Sequence, residues 1–174
     1  QEMASLVWGK DYELITAEEY SHLTALQINS GDQEIYYQLD HGETQMLVYG
    51  NDYGREWDDL SVFSGLEWLS IDDYLFGDEL MGLNKLYAVY TENSIEDYLK
   101  MIPHPENITE LGIENFGIDQ SLEGIDSFPN LRCLSVDYYD LVDISALSKL
   151  PDLQMLTLID CDDLMDYSPL MTLT

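Results

Sequence analysis

Apolar residues recur along this chain with one spacing, in which the first, fourth and sixth positions of a short segment are mostly apolar. Alternate side chains of a strand point to opposite faces, so each such segment predicts one short strand with one buried side. The first, fourth and sixth residues of the seven segments are Leu23-Leu26-Ile28, Thr44-Leu47-Tyr49, Leu66-Leu69-Ile71, Leu83-Leu86-Ala88, Ile108-Leu111-Ile113, Leu131-Leu134-Val136 and Leu153-Leu156-Leu158.

The segments begin at nearly regular intervals. The mean interval is about 22 residues, and one interval of 17 residues is followed by one of 25. This period lies in the range of leucine-rich repeats, whose stacked units share a single elongated core because no unit can bury its apolar side alone. The spacing therefore predicts a stacked repeat of about seven short strands.

Two segments that return the chain between strands share a second pattern. Residues 141–150 read LVDISALSKL and residues 164–173 read LMDYSPLMTL. They resemble the D-I-S-x-L-x-x-L return segment of internalin-like bacterial leucine-rich repeats, and residues 118–130 carry a looser version. The resemblance covers roughly residues 20–174 and is clear from about residue 106 onward.

The resemblance implies an α/β fold. It would be a right-handed leucine-rich-repeat solenoid with a parallel concave sheet of about seven short strands and an irregular or short-helical convex side. The family generally binds proteins. One departure is the ninth position of each repeat, where the family has Asn or Cys and this chain fits only at Cys161. We therefore expect the asparagine ladder to be missing and aromatic side chains to fill its place.

The two ends of the repeat region differ. Residues 1–22 lack the repeat, and Thr16 followed by Glu19 has the spacing of a capping box at the start of a short helix. We predict a small N-terminal cap over residues 1–22 and one continuous solenoid domain over residues 23–174.

One further helix is expected inside the repeat region. Ser94 is a good N-cap residue, Asp97 would lie in the first turn, and Pro103 would end the helix. A helix of two turns at this point explains the interval of 25 residues.

Charge excludes several classes of partner. The 174 residues include 35 acidic and 6 basic ones, which gives a net charge of −29. Nucleic acids and anionic membranes are bound through clusters of Lys and Arg, so neither is an expected partner. Hydrophobic residues make up 45% of the chain, enough for a folded core, yet no run of 18 apolar residues predicts insertion into a membrane.

Catalytic and metal-binding motifs are missing from the sequence. We find no nucleophile elbow, glycine-rich phosphate loop, dinucleotide fingerprint, zinc motif or calcium loop. Acidic pairs such as Asp58-Asp59 are expected to be solvated surface charge. We therefore predict a protein that is not an enzyme and has no cofactor and no metal, although calcium at the turn of Asp160, Asp162, Asp163 and Asp166 stays open.

The repeat register predicts which side chains line the concave face. Positions three, five and seven of each strand point toward it, and position eight follows at the end of the strand. Aromatic residues are typical anchors of protein interfaces, and carboxylates favour a basic partner. High strand propensity of tyrosine is the alternative explanation. The predicted partner-binding residues are Trp68, Asp72, Tyr87, Tyr90, Glu114, Asp137 and Tyr138.

These observations favour a non-enzymatic module that binds a protein or peptide with its concave face. The family resemblance implies a bacterial cell-surface or secreted recognition protein. The alternative is an intracellular acidic inhibitor or immunity-type protein that masks a basic partner, a role that the net charge suits. A third class, an acid-base hydrolase, would need a pocket that raises the pKa of a carboxyl group strongly. The oligomeric state and the partner's identity stay open.

The charge makes a prediction about stability. Two like charges 10 Å apart repel by roughly 0.4 kcal/mol in water, and the screening length falls to about 8 Å at physiological ionic strength. The melting temperature, followed by circular dichroism, should therefore rise as salt increases from very low to physiological concentration. A melting temperature that falls over this range would show that attractive ion pairs dominate.

Overall fold

The computed structural model describes residues 2–49, 60–75, 78–114, 121–137 and 140–173. Within them the fold is α/β, with one eight-stranded, mostly parallel sheet in the order β3-β2-β1-β4-β5-β6-β7-β8. The strands are β1 (Leu23–Asn29), β2 (Glu34–Leu39), β3 (Gln45–Val48), β4 (Trp68–Ile71), β5 (Ala88–Thr91), β6 (Glu110–Glu114), β7 (Cys133–Asp137) and β8 (Met155–Ile159).

The helices of the described residues are short. They are α1 (Glu2–Trp8), α2 (Ala17–Tyr20) and α3 (Ile95–Met101). None of them is long and apolar enough to cross a membrane. Single 3-10 segments lie at Tyr12–Leu14, Leu60–Val62, Pro105–Asn107, Ile125–Ser127, Ser145–Lys149 and Ser168–Thr172.

The first three strands form an antiparallel meander. β1 pairs with β2 and β2 with β3 in antiparallel fashion, whereas β1 and β4 to β8 run parallel to one another. A strand does form at the predicted segment Thr44-Leu47-Tyr49, as β3, but it pairs antiparallel with β2 at the edge of the sheet, so its prediction as a repeat strand stacked in parallel between β1 and β4 is wrong. β2 was not predicted. Only residues 30–33 join β1 to β2, far fewer than the dozen or so residues that a parallel crossover requires.

The register of β5 differs from the prediction by three residues. Val89, not Leu86, lies opposite Leu69 of β4. The repeat unit is therefore Leu86-Val89-Thr91, and Leu83-Leu86-Ala88 is wrong as a strand segment. With this register the uneven intervals of 17 and 25 residues become 20 and 22. Leu83 and Leu86 are both buried ahead of the strand, which is why the apolar pattern fitted two registers.

A polar core position explains why the pattern was ambiguous. Thr91 faces the core, where its hydroxyl donates to Asn93 Oδ1 at 2.7 Å and contacts the Tyr98 hydroxyl at 2.8 Å. The Tyr98 hydroxyl also accepts from the Thr91 amide at 2.9 Å and lies 2.6 Å from the Gly112 carbonyl, to which it donates. A fully buried tyrosine of α3 thus joins β5 to β6.

Asn93 bonds a neighbouring turn from inside the core, although it does not occupy the ninth position of its repeat. Its side chain is fully buried, donates to the Leu75 carbonyl at 2.8 Å and accepts from the Leu75 amide at 3.0 Å. A second contact between turns comes from Asn130, which donates to the Glu106 carbonyl at 2.7 Å. Amide side chains therefore do bond neighbouring turns, at positions other than the ninth.

Local capping was predicted correctly. Thr16 and Glu19 form both bonds of the capping box before α2. α3 begins after its N-cap Ser94, whose hydroxyl accepts from the Asp97 amide at 3.2 Å, and it ends just before Pro103. These bonds satisfy backbone amides that a helix start leaves without partners. Because the effect is local, the start of the helix could be predicted from a few neighbouring residues.

The D-x-S part of the return segments has a similar local function. Asp143 Oδ1 accepts from the Ser145 amide at 2.8 Å, and Asp166 Oδ1 accepts from the Ser168 amide at 2.9 Å. These bonds lower the pKa of both carboxyl groups. Each aspartate thereby holds the start of a 3-10 segment that turns the chain back under the sheet.

The core is continuous but unequally closed along the sheet. Leu134 of β7 is 1% exposed, whereas the equivalent Leu156 of β8 is only half-buried. The prediction that Leu156 is buried is thus only partly met, because β8 is the edge strand and packs against β7 on one side only.

We expect Leu134→Ala to lower the free energy of unfolding by about 2–5 kcal/mol, since it leaves a cavity in a closed part of the core. Leu156→Ala should cost clearly less, because water already reaches part of that side chain. Denaturant titration measures both losses, and Met155→Ala, at a position 61% exposed, serves as the control. Equal losses at positions 134 and 156 would contradict this view of the core.

Candidate binding face

The side of the sheet away from the core presents three rows of side chains, and we call this side the open face. The paired register of the parallel strands aligns the rows across β4 to β8. The first row is Trp68, Ala88, Glu110, Cys133 and Met155; the second is Ser70, Tyr90, Gly112, Ser135 and Thr157; the third, toward the strand ends, includes Asp72, Glu114, Asp137 and Ile159.

Two aromatic side chains meet on the open face. The ring centroids of Trp68 and Tyr90 are 5.8 Å apart, with the ring planes inclined by 39°. Both side chains are half-buried, so each keeps an accessible surface. An aromatic pair at this separation contributes about 1 kcal/mol in addition to the free energy gained by burying its apolar surface.

The position of the Tyr90 ring is set by its neighbours. A Cβ on Gly112 would overlap the Tyr90 ring, so only glycine lets the ring lie across β6. The Tyr90 hydroxyl donates to Glu110 Oε2 at 3.2 Å. Burial, followed by the charge of Glu110, raises the pKa of Tyr90, so the phenol stays protonated and keeps its proton for this bond.

A cavity of about 170 Å³ opens beside the Tyr90 ring. Ser70, Ser135, Glu114 and Asp137 are among the residues that line it. Burial first, and then the charges of Glu92, Asp137 and Asp72, raise the pKa of Glu114. Burial and the charge of Asp160 raise the pKa of Asp137. Burial and repulsion by neighbouring carboxylates thus both disfavour the charged forms of Glu114 and Asp137.

In the described parts of the chain, no lysine, arginine or histidine forms an ion pair with a carboxylate that lines this cavity. The lysine ion pairs there join Lys10 to Glu19, Lys100 to Glu96 and Asp97, and Lys149 to Asp126. Asp137 Oδ1 is buried, and no group among the described residues hydrogen bonds to it.

The structure brings together four of the predicted partner-binding residues, Trp68, Tyr90, Glu114 and Asp137. Asp72 also lines the cavity, but its carboxylate has a structural contact. It accepts from the Ser30 amide at 2.6 Å and lies 3.5 Å from the Gly31 amide, so it ties the β1–β2 turn to β4.

Two predicted residues are placed differently or fall outside the description. Tyr87 lies one residue before β5 instead of at position five, because the register of β5 was wrong. It is 39% exposed and close to Glu110 and Glu67, whose charges, after burial, raise its pKa. Tyr138 lies outside the described residues.

The sequence analysis did not select Glu92, the serines of the cavity or Glu110. Glu92 was missed because the β5 register was shifted, and the uneven repeat intervals were the signal that could have corrected it. Ser70, Ser135 and Glu110 were on the predicted face, but nothing in the sequence distinguishes them from ordinary surface residues.

Metal binding finds no support in the geometry. Among the described residues no group of three or more His, Cys, Asp or Glu side chains is arranged to hold a metal ion. The aspartates around residues 160–166 form no such group. Asp166 instead accepts a hydrogen bond from the Ser168 amide.

No known family model matches this chain, and a search of curated proteins finds no match either.

The charge of Glu114 should weaken the fold at neutral pH. A carboxyl group whose pKa is raised by folding binds protons more tightly in the folded state, so its contribution falls as pH rises above the ordinary value of 4.5. Glu114→Gln should therefore raise the melting temperature at pH 7, and the difference should vanish well below pH 4.5. Glu123→Gln, at an exposed position, is the matched control. A destabilised Glu114→Gln variant at pH 7 would show instead that a partner within the chain holds this carboxylate.

Proposed function

We propose that this protein is a non-enzymatic binding module, built as a leucine-rich-repeat solenoid whose concave side is the open face. The succession of parallel strands β4 to β8, each followed by a short return, supports the solenoid. So do the 3-10 segments at the D-x-S motifs. Its partner is a protein or peptide with a basic surface.

The observation that carries the proposal is the aromatic pair Trp68 and Tyr90 beside carboxylates that form no ion pair within the described part of the chain. Aromatic side chains supply large contact areas and lose little conformational freedom when they are covered. Glu114 and Asp137 are partly desolvated and form no ion pair with the described residues, so they gain most from an incoming positive charge.

The net charge of −29 supports the same type of partner. Complementary potentials speed the encounter of two proteins and disfavour partners of like charge. Carboxylates around the aromatic pair would then set the rate of association, while the rings would set the rate of dissociation.

Two biological settings fit this chemistry. The resemblance to internalin-like proteins supports a bacterial cell-surface or secreted recognition protein. The alternative is an intracellular inhibitor or immunity-type protein that masks a basic partner. Both use the open face in the same way, so they differ in where the basic partner is found.

The proposal predicts a preference that can be measured directly. In a panel of equally long synthetic peptides, basic ones should bind and acidic ones should not. Trp68→Ala combined with Tyr90→Ala should weaken the tightest basic peptide by about 2 kcal/mol, roughly thirtyfold, mainly through faster dissociation. Surface plasmon resonance gives both rates.

The control is Tyr167→Ala, which removes an exposed tyrosine near the last return segment and should leave binding unchanged. Circular dichroism must show that the double variant is folded. If the folded double variant binds every peptide as the unaltered protein does, the open face is not the binding surface.

A further inference from the structure

The cavity beside Tyr90 combines three kinds of group. An aromatic ring lies across Gly112 at one part of its lining. The carboxylates of Glu114 and Asp137 lie on the two neighbouring strands β6 and β7, and the hydroxyls of Ser70 and Ser135 complete the polar lining. Its volume of about 170 Å³ is more than ten times the roughly 15 Å³ that one water molecule needs.

The hydrogen bonds and charges of the cavity call for a positively charged donor. A buried oxygen of Asp137 lacks a hydrogen-bond partner among the described residues, and a buried acceptor left unpaired disfavours the folded state. Water would donate a hydrogen bond but would leave Glu114 repelled by its acidic neighbours Glu92, Asp137 and Asp72. A cation with N–H groups relieves both.

A bare metal ion does not fit this lining. Calcium takes about six to eight oxygen ligands, and the described residues offer no group of three acidic side chains close enough to hold one. A guanidinium group fits better than an ammonium group for a geometric reason. It is planar, stacks on aromatic rings and presents five donors, whereas an ammonium group is a compact and strongly hydrated point charge.

We propose that this cavity is a recognition pocket for one arginine side chain of the bound partner, stacked on Tyr90 and bonded to Glu114 and Asp137. This inference rests on the proposed binding function of the open face and adds its specificity. The serine hydroxyl oxygens accept hydrogen bonds from the remaining guanidinium N–H groups, and Asp72 keeps its hydrogen bond to the β1–β2 turn.

Blocked amino acids test the pocket without a known partner. The probes are N-acetyl-arginine amide, N-acetyl-lysine amide and N-acetyl-citrulline amide, the last being a neutral analogue of arginine with nearly the same shape. In a two-dimensional NMR titration, the arginine probe should bind with a dissociation constant of about a millimolar and shift the amide signals of Gly112, Glu114 and Ser135. It should bind at least about tenfold more tightly than citrulline and severalfold more tightly than lysine.

Variants separate the groups involved. Glu114→Gln with Asp137→Asn should weaken the arginine probe by about tenfold or more, while the matched pair Glu123→Gln with Asp152→Asn should not. Tyr90→Leu should abolish the preference for arginine over lysine, and Tyr90→Phe, which keeps the ring, should retain it. Tyr90→Phe is the smaller change at the same position, so comparing the two variants shows whether the preference depends on the aromatic ring.

The outcomes distinguish this inference from the proposed function. Equal binding of arginine and citrulline, or of arginine and lysine, overturns the arginine pocket. So does an arginine probe that shifts no signal in the cavity. If basic peptides still bind in a manner sensitive to Trp68 and Tyr90, the binding function stands without the pocket. If the arginine probe binds but no peptide does, the pocket stands and the protein-binding function fails.

Discussion

The structure depends on one constraint, which is that a strand of four or five residues cannot bury its own apolar side. Leu69, Leu111 and Leu134 are each at most 1% exposed because strands and return segments on both sides close over them. The same neighbours supply the backbone hydrogen bonds of the parallel ladder. Where a neighbour exists on one side only, as at β8, the core residues stay half-buried. Stability in this fold is therefore shared between turns and is lowest at the edge.

Sharing of the core also determines where the charge lies. With the apolar positions turned inward, most carboxylates of this chain of net charge −29 lie at the surface, including the open face, although Asp73 and Glu79 are buried. There the parallel register brings acidic residues of neighbouring strands together, since parallel strands lie only about 4.8 Å apart. Glu114 and Asp137 are such a pair. The repulsion that disfavours the free protein is also what would favour a basic partner.

The Tyr90 site shows how tightly the two sides of the sheet are connected. On the open face Tyr90 lies across Gly112, while from the core side the Tyr98 hydroxyl donates to the carbonyl of the same glycine. The Tyr98 hydroxyl also accepts a hydrogen bond from the amide of Thr91, the residue that follows Tyr90. The α3 helix therefore helps to set the spacing of the two strands that carry the aromatic ring and the glycine beneath it.

Features with a local cause could be predicted from the sequence. The capping box of Thr16 and Glu19, the helix after Ser94 and the strands built on Leu111, Leu134 and Leu156 depend on residues a few positions apart, so spacing alone reveals them. The periodicity indicated a stack of short strands, whereas the α/β class and the mostly parallel sheet were expected from the resemblance of the return segments. Trp68, Glu114 and Asp137 could be placed on the exposed side because strands alternate. Tyr90 was expected just after its strand and lies within it, because the register of β5 differs from the prediction.

Only the tertiary structure decided which residues pair across strands. The antiparallel meander, the register of β5 and the role of Asn93 depend on contacts between segments far apart in the chain. Leu86 and Val89 satisfied the local apolar pattern equally well, so the pattern allowed two registers of β5. The observed register is the one in which Thr91 bonds to Asn93 and Tyr98. The sequence by itself determined that short strands would stack and expose aromatic and acidic residues on one side. The pairing of the strands placed Tyr90 over Gly112, beside Glu114 and Asp137. Local spacing could not predict this arrangement, because strand partners are selected by packing between segments far apart in the chain.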